Sequence, residues 1–349
     1  LVYTIMKRIK SVFIFILVCI TGYFTYNFYT IFFEKNTNFE SESIFLKIPS
    51  NSSFSQILDS LSNYLVDIET FEKAAKRKKY LQNIKAGRFL INNGDNNNDI
   101  INSLRSNNIP LNLTFNNIET LSELAGKVSK KIEADSASIM NAFTNKKFLN
   151  ELSLTDESIF SLFIPNTYQF FWNTNATDFR ERIVKEFDIF WNQTRIEKIR
   201  DINLNPIEVM VLASIVQKET PKVDERPTIA GVYLNRLKKN MKLQADPTVV
   251  YSIKQRDGFD KVIRRVLYKD LRIKSSFNTY YVKGLPPAPI VTPDISSIEA
   301  VINYSKNPFI FFVADVSNPG YHLFSRTLSE HNKKKRQYTR WLKERNIKR

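Results

Sequence analysis

Apolar and polar positions along the chain follow three regimes. Residues 11–33, SVFIFILVCITGYFTYNFYTIFF, carry no charge at all. At about 1.5 Å of rise per residue, a run of this length crosses a bilayer as a single helix. Lys7, Arg8 and Lys10 precede it, which predicts a cytoplasmic N-terminus over 1–10 and a span over 11–33. The second half of the run is rich in Tyr and Phe, as suits the aromatic belt at a membrane interface. A cleaved signal peptide would have a shorter apolar core and a small-x-small cleavage site. No such site lies between Gly22 and Lys35.

Beyond the span, the apolar period switches repeatedly between the strand and helix values. Ile44, Leu46 and Ile48 alternate as in a half-buried strand. Ser53 and Gln56 then form a capping-box pattern, and Phe54, Ile57, Leu58, Leu61 and Leu65 follow at helical spacing. A weak second copy begins at Leu111, Leu113 and Phe115. Thr120 and Glu123 repeat the cap, and Leu121, Leu124, Val128 and Ile132 repeat the stripe. Between the copies, KAGRFLI reads as a turn into a strand, and a short helix is expected near Asp99–Leu104. These elements predict a small α/β module over 40–107, followed by a larger mixed α+β domain over 108–349.

In that domain, IFSLFIPNTYQFFW at 159–172 is dense in aromatic residues, most of which should pack a core. Tyr168, beside Pro165 and Asn166 in an expected turn, is the ring assigned to a ligand groove. One long helix is expected over 177–198, with Phe179, Ile183, Phe187 and Phe190 on its core face. A stronger helix signal opens at Asn205, a good N-cap, with Pro206 at the first helical position and Glu208 three residues on. Val209 through Val216 is nearly all apolar, which buries that helix on most sides, and Pro221 ends it. Asp246-Pro247 reads as an N-cap and first-turn pair for another helix. That role accounts for Asp246 structurally and leaves a ligand contact open.

Charge and composition narrow the chemistry. There are 51 basic and 35 acidic residues, for a net charge of +16. Such a balance favours nucleic acid, anionic membrane surfaces or acidic polymers as neighbours. No zinc-finger, RNA-recognition or homeodomain pattern appears, so nucleic acid is not expected as a partner. The single cysteine, Cys19, follows Ile16, Leu17 and Val18. It supports neither a disulfide nor a Cys-based metal site, and it lacks the small residues that precede a lipidated cysteine. His322 and His331 are the only histidines, which excludes a three-histidine zinc site. No metal or cofactor is expected.

Glu219 closes the buried apolar helix that starts at Asn205. A carboxylate there faces the negative end of the helix dipole, and partial burial disfavours its ionised form. Both effects raise its pKa. A carboxyl group kept protonated near neutral pH is what a general acid needs to protonate a glycosidic oxygen. Position alone also admits an exposed helix-end charge. Lys218 would oppose the shift by pairing with Glu219, but adjacent helix positions point apart.

Five blocks in order, LASIVQKET, YLNRLKKNMKLQADPTVVY, FNTYYVKGLPPAPIVTP, FFVAD and HLFSRTLSEHN, resemble the signature blocks of the endolytic murein transglycosylase (MltG, YceG-like) family. The resemblance is strongest over 205–335. It implies that the module at 40–107 is similar to LysM, a carbohydrate-binding fold. It also implies that Glu219 is the catalytic acid. The family's block is typically written EKET, and here Gln217 replaces its first glutamate, which leaves position 217 without a carboxylate role. The implied reaction is a lytic transglycosylation of nascent peptidoglycan between N-acetylmuramic acid and N-acetylglucosamine. The muramic 6-hydroxyl is the nucleophile and a 1,6-anhydro end is the product, so one protein carboxylate suffices. The resemblance further implies strand termination beside peptidoglycan synthases, with the catalytic domain outside the cytoplasmic membrane.

Around Glu219, the residues expected to bind sugar are Gln244, Asp246, Thr248 and Tyr251, the polar strip Ser276, Asn278, Thr279 and Tyr280, and Tyr168. Gly284-Leu285-Pro286-Pro287 is expected to shape the groove wall. His322 and His331 are expected to serve as hydrogen-bonding groups there. The basic tail, Lys333 to Arg349, is expected to be a solvated helix. Two other readings stay open: a hydrolytic muramidase using a second carboxylate such as Asp246, and a non-catalytic, membrane-anchored peptidoglycan-binding scaffold.

Overall fold

The computed structural model describes residues 2–106 and 108–345. The chain is α+β and divides into two units. The first runs to Asn112 and includes Lys131–Glu133 and Gln169–Thr174; the second takes in Leu113–Lys130, Ala134–Tyr168 and everything from Asn175 onward.

The first unit begins with helix α1 (Val2–Phe32). Within it, Ile5–Phe32 is long and apolar enough to cross a membrane. Most of its side chains stand exposed, as a lipid-facing span requires. The last turn behaves differently. Ile31 and Phe32 are buried in one core with Leu46, Phe71, Phe89 and Ile100. That core belongs to β1 (Ser43–Ile48), α2 (Phe54–Leu61), α3 (Ile68–Arg77), β2 (Gly87–Asn92) and α4 (Asn97–Arg105). β1 and β2 pair antiparallel, with Ser43 opposite Asn92 and Ile48 opposite Gly87. The expected Ser53–Gln56 capping box is present, and Asp67 and Asn96 cap α3 and α4.

Two buried amides lock α1 onto this core. The Asn97 Nδ2 donates to the Ile31 carbonyl at 2.9 Å, satisfying one of the orphan acceptors at the helix end. Asn97 Oδ1 in turn accepts from Asn36 Nδ2 at 2.6 Å. Asn36 also spans the Asp67 backbone, accepting from its N–H at 2.6 Å and donating to its carbonyl at 2.7 Å.

Strand β3 (Leu111–Phe115) leads into the second unit, whose first helices are α5 (Leu121–Ser129), α6 (Ser136–Phe143) and α7 (Lys146–Glu151). β4 (Asn166–Phe170) pairs with β3 in a two-stranded sheet, where the Thr114 and Thr167 hydroxyls meet at 2.8 Å. Then come α8 (Ala176–Phe190) and α9 (Gln193–Arg200) in place of the one helix expected over 177–198. The break falls at Trp191–Asn192 because the Asn192 side chain accepts from the Arg195 N–H and restarts the helix as an N-cap. Thr120 caps α5 as expected, but Glu123 turns its carboxylate to the Glu119 N–H instead of completing a box.

The centre of this unit is α10 (Pro206–Glu219), capped by the expected Asn205–Glu208 box. Every residue from Val209 to Val216 is buried. Fully burying each large apolar side chain contributes roughly 1.5–3 kcal/mol, so this helix anchors the unit. Around it pack α11 (Arg226–Lys238), α12 (Asp246–Asp257) and α13 (Ile295–Ile302). α11 comes close to the 305–307 segment at Gly231, where a Cβ would lie 2.4 Å from the Ser305 carbonyl oxygen. The hairpin β5 (Phe311–Ala314) and β6 (His322–Ser325) precedes the basic helix α14 (Leu328–Glu344). The part of the expected tail helix beyond residue 345 lies outside the described residues.

Candidate active site around Glu219

Burial of α10 delivers Glu219 to a recessed position. Its side chain is enclosed by protein yet keeps partial solvent access. Oε1 accepts the Tyr233 hydroxyl at 2.5 Å. Desolvation is the largest influence on this carboxyl and pushes its pKa up to about 7. The Tyr233 hydrogen bond opposes that rise, the charge of Asp246 adds to it, and the charge of Arg236 opposes it. Desolvation also drives the Tyr233 hydroxyl well above its ordinary pKa, so it stays a donor. Lys218 does not pair with Glu219. Its Nζ reaches Glu119 Oε1 at 3.3 Å, and Lys254 reaches the other oxygen of Glu119 at 2.6 Å.

Tyr233 and Arg236 both come from α11, three residues apart and so on one face. Arg236 is 7% exposed and works as a clamp. Its Nε donates to the Ile310 carbonyl at 2.7 Å and its Nη1 donates to the Leu243 carbonyl. The second contact fixes the loop that leads into α12. Asp246 begins that helix, but Ala245 occupies the cap position, so the expected N-cap role of Asp246 is corrected. The exposed Asp246 carboxylate instead accepts the Tyr280 hydroxyl at 2.7 Å. Gln244, also exposed, holds a left-handed backbone (φ 50°). Such a conformation is uncommon for a residue with a side chain. The Thr279 carbonyl holds it by accepting from its N–H at 3.2 Å.

The other expected sugar-binding residues divide by burial. Thr248, Thr279 and Asn278 are wholly buried. The two threonine hydroxyls meet at 2.8 Å, and Thr279 Oγ1 also accepts from the Ala245 N–H at 2.9 Å. Asn278 donates to the carbonyls of Leu271 and Ile273. These three are corrected from ligand contacts to scaffold, because their polar groups are spent inside the protein. Ser276 is exposed. Tyr251 packs its ring on Phe277 at 4.7 Å, and its hydroxyl reaches the Glu119 carbonyl at 3.5 Å. Tyr168 is also corrected. It lies in β4 rather than in a turn, stacks on Phe115 and donates its hydroxyl to the Ile164 carbonyl at 2.6 Å.

Both histidines have partners on neighbouring elements. His322 donates its backbone N–H to Glu225 Oε1 at 2.6 Å, and its Nδ1 lies 2.8 Å from Oε2 of the same carboxylate. Phe312 meets His322 on one side and Tyr233 on the other, edge to face. His331 stacks on Phe311. Its Nδ1 has no hydrogen-bond partner among the described residues, and burial lowers its pKa. Gln217 accepts from the Asp294 N–H, while Arg226 holds the Asp294 carboxylate at 2.9 Å. Among the described residues, no group of three or more His, Cys, Asp and Glu side chains could hold a metal ion. A shallow concavity along α1, lined by Leu17, Val18, Gly22 and Tyr26 among others, contains no carboxyl group and takes no part in the site.

Residues 46–337, most of the chain, match the YceG-like family. The chain belongs to the YceG-like family. A Bacillus subtilis (strain 168) relative named endolytic murein transglycosylase is 30% identical over 314 residues, covering 84% of each chain. A relative of the same name from Streptococcus pneumoniae serotype 2 is 36% identical over 119 residues, 34% of this chain and 21% of its own length. The crystal structure of a yceG-like protein from Listeria monocytogenes superposes with a TM-score of 0.55 at 27% identity, covering 84% of this chain and 99% of that one. Sequence reasoning singled out Glu219, Asp246 and Tyr280, yet it missed Tyr233 and Arg236. Both lie in the second of the family blocks, YLNRLKK. An arginine and a tyrosine three apart on a largely apolar helix were the available signal.

Proposed function

We propose that this YceG-like chain is a membrane-anchored endolytic murein transglycosylase, with Glu219 as its general acid and base. One observation carries the reading: a single recessed carboxyl group, held by Tyr233 and pushed up to about 7, still open in part to solvent. Near neutral pH a substantial share of it is protonated, and it can donate to the glycosidic oxygen between N-acetylmuramic acid and N-acetylglucosamine. As that bond breaks, positive charge develops at the anomeric carbon and Glu219 is left as a carboxylate. The carboxylate then takes the proton of the muramic 6-hydroxyl, whose oxygen bonds to the same carbon. The product is a 1,6-anhydro end, no water is consumed, and Glu219 regains its proton. The exposed Asp246 carboxylate, held by Tyr280 and close enough to act on Glu219 by its charge, adds negative potential that favours a developing cation.

The apolar run of α1, preceded by Lys7, Arg8 and Lys10, supports a single-pass anchor with the chain after α1 outside the cytoplasmic membrane. The order β1, α2, α3, β2 supports a LysM-like reading of residues 40–107. Termination of nascent strands near a synthase fits such an anchored enzyme. The deciding experiment is mass analysis of glycan strands digested by the full chain and by Glu219→Gln. Anhydro ends made only by the parent are expected. Reducing ends would mean a hydrolase, and equal digestion by both proteins would remove Glu219 from the reaction.

A further inference from the structure

After α12 the chain leaves the neighbourhood of the site in an irregular finger, residues 258–276, whose only regular element is a short 3-10 turn at Asp270–Arg272. Both ends of the finger are pinned. At the outgoing end, Asp257 Oδ2 takes Lys261 at 2.5 Å, and the Phe259 ring meets Tyr251 at 5.4 Å. At the return, Asn278 Nδ2 holds the carbonyls of Leu271 at 3.1 Å and Ile273 at 2.8 Å. The outgoing anchor sits at the end of α12 opposite Asp246, whereas the return anchor, Asn278, lies two residues before Tyr280, the partner of Asp246.

Between the anchors, the finger presents large apolar side chains to water. Val262 is 79% exposed, Tyr268 84% and Leu267 41%. Interspersed with them are Lys261, Arg264, Arg265, Lys269, Arg272 and Lys274, against only Asp260 and Asp270. Asp270 turns its carboxylate onto the Leu267 N–H at 2.9 Å, which shapes the tip. Exposed aliphatic and Tyr side chains among Lys and Arg have a specific physical complement. The apolar groups gain from the acyl boundary, Tyr favours the headgroup level, and the cations are drawn to anionic lipid. A hydrated sugar polymer or a peptide carboxylate would complement the cations but would leave Val262 and Leu267 in water.

We propose that the finger at 258–276 inserts its tip into the headgroup layer of an anionic bilayer, so that the catalytic unit touches the membrane through a second contact besides α1. The inference rests on the membrane-anchored part of the reading above, and not on the chemistry of Glu219. Docking would tie the Asp246–Tyr280 pair to the membrane surface through the return end of the finger, which Asn278 fastens two residues before Tyr280.

The test uses the full chain in nanodiscs, with Cys19→Ser and an environment-sensitive fluorophore on Tyr268→Cys. In discs rich in phosphatidylglycerol, lipid-borne quenchers are expected to quench the probe and iodide to be excluded. In pure phosphatidylcholine discs the pattern reverses, and added salt weakens the anionic case. Combining Arg264→Gln, Lys269→Gln and Lys274→Gln should abolish lipid-borne quenching while leaving strand cleavage by the detergent-solubilised chain unchanged. Equal iodide access in both discs overturns the proposal. So does loss of cleavage in detergent by the triple variant, which would make the finger a wall of the substrate groove. Cleavage by the parent chain in detergent is read separately, so failure of membrane docking and failure of the enzymatic assignment remain distinct results.

Discussion

Two carboxyl groups in the second unit each accept a tyrosine hydroxyl, Glu219 from Tyr233 at 2.5 Å and Asp246 from Tyr280 at 2.7 Å. The pairs are alike in chemistry and differ in surroundings. Glu219 ends a helix buried from Val209 to Val216, whereas Asp246 starts a helix at the surface. The donated hydrogen bond favours the ionised form of Glu219. Removal from water is what sets Glu219 apart, and it outweighs the bond, pushing the group up to about 7. The hydrogen bond thus fixes where the acid points, while burial decides when it holds a proton.

The comparison breaks first, and with the largest effect, at the acid itself. Glu219→Gln should reduce strand cleavage by about 10²–10⁴-fold, the usual share of a general acid and base, as measured by release of anhydro ends. Cleavage by the parent should decline as pH rises through about 7, because the carboxyl then loses the proton it must donate.

The same variant reads burial as stability. The folded state holds this proton to a pH of about 7, against an ordinary value of 4.5. A carboxyl with a raised folded pKa favours the native state below its unfolded value and disfavours it as pH rises through the folded one. Glu219→Gln should therefore stabilise the protein at pH 8, by up to about 3 kcal/mol, and hardly at all near pH 4. Equal melting shifts at the two pH values would show that Glu219 is well hydrated.

Tyr233→Phe sharpens the distinction between aim and protonation. It should slow cleavage about fivefold through a lost hydrogen bond, yet move the alkaline limb of the pH profile upward, since that bond lowers the Glu219 pKa. A downward shift would contradict the assignment of roles. The smallest effects belong to the exposed pair. Asp246→Asn should move the alkaline limb downward, because the Asp246 charge raises the Glu219 pKa. Tyr280→Phe should change cleavage less than Tyr233→Phe does. A larger loss from Tyr280→Phe would place the working acid on the surface side.

The parts of this molecule that local pattern governs were legible in the sequence. The uncharged run of α1, the Asn205–Glu208 box, the apolar length of α10 and the place of Glu219 at its end all depend on residues within a turn or two of one another. The pairings across the fold were not. Tyr233 reads as one more apolar position on α11, and only packing against α10 brings its hydroxyl to Glu219. Thr248 and Thr279, 31 residues apart, look solvent-facing by composition, yet each satisfies the other inside the unit. The 177–198 stripe kept its helical period through Asn192, a residue equally able to sit in a helix or to start a new one. Tyr168 sat next to turn-forming residues, and the aromatic cluster of Phe115 and Phe163 drew it into a strand.

The amide of Asn97 on the last-turn carbonyl of α1 means that the apolar helix runs into the core of the first unit with no leash between them. With α1 crossing a bilayer as proposed, the lipid surface becomes the datum from which that unit is levelled. One residue added within the span would swing the unit by about 100° around the helix axis and raise it by about 1.5 Å. A slack tether would absorb both changes, so the length of the anchor acts as a ruler for how far, and in which direction, this part of the protein reaches.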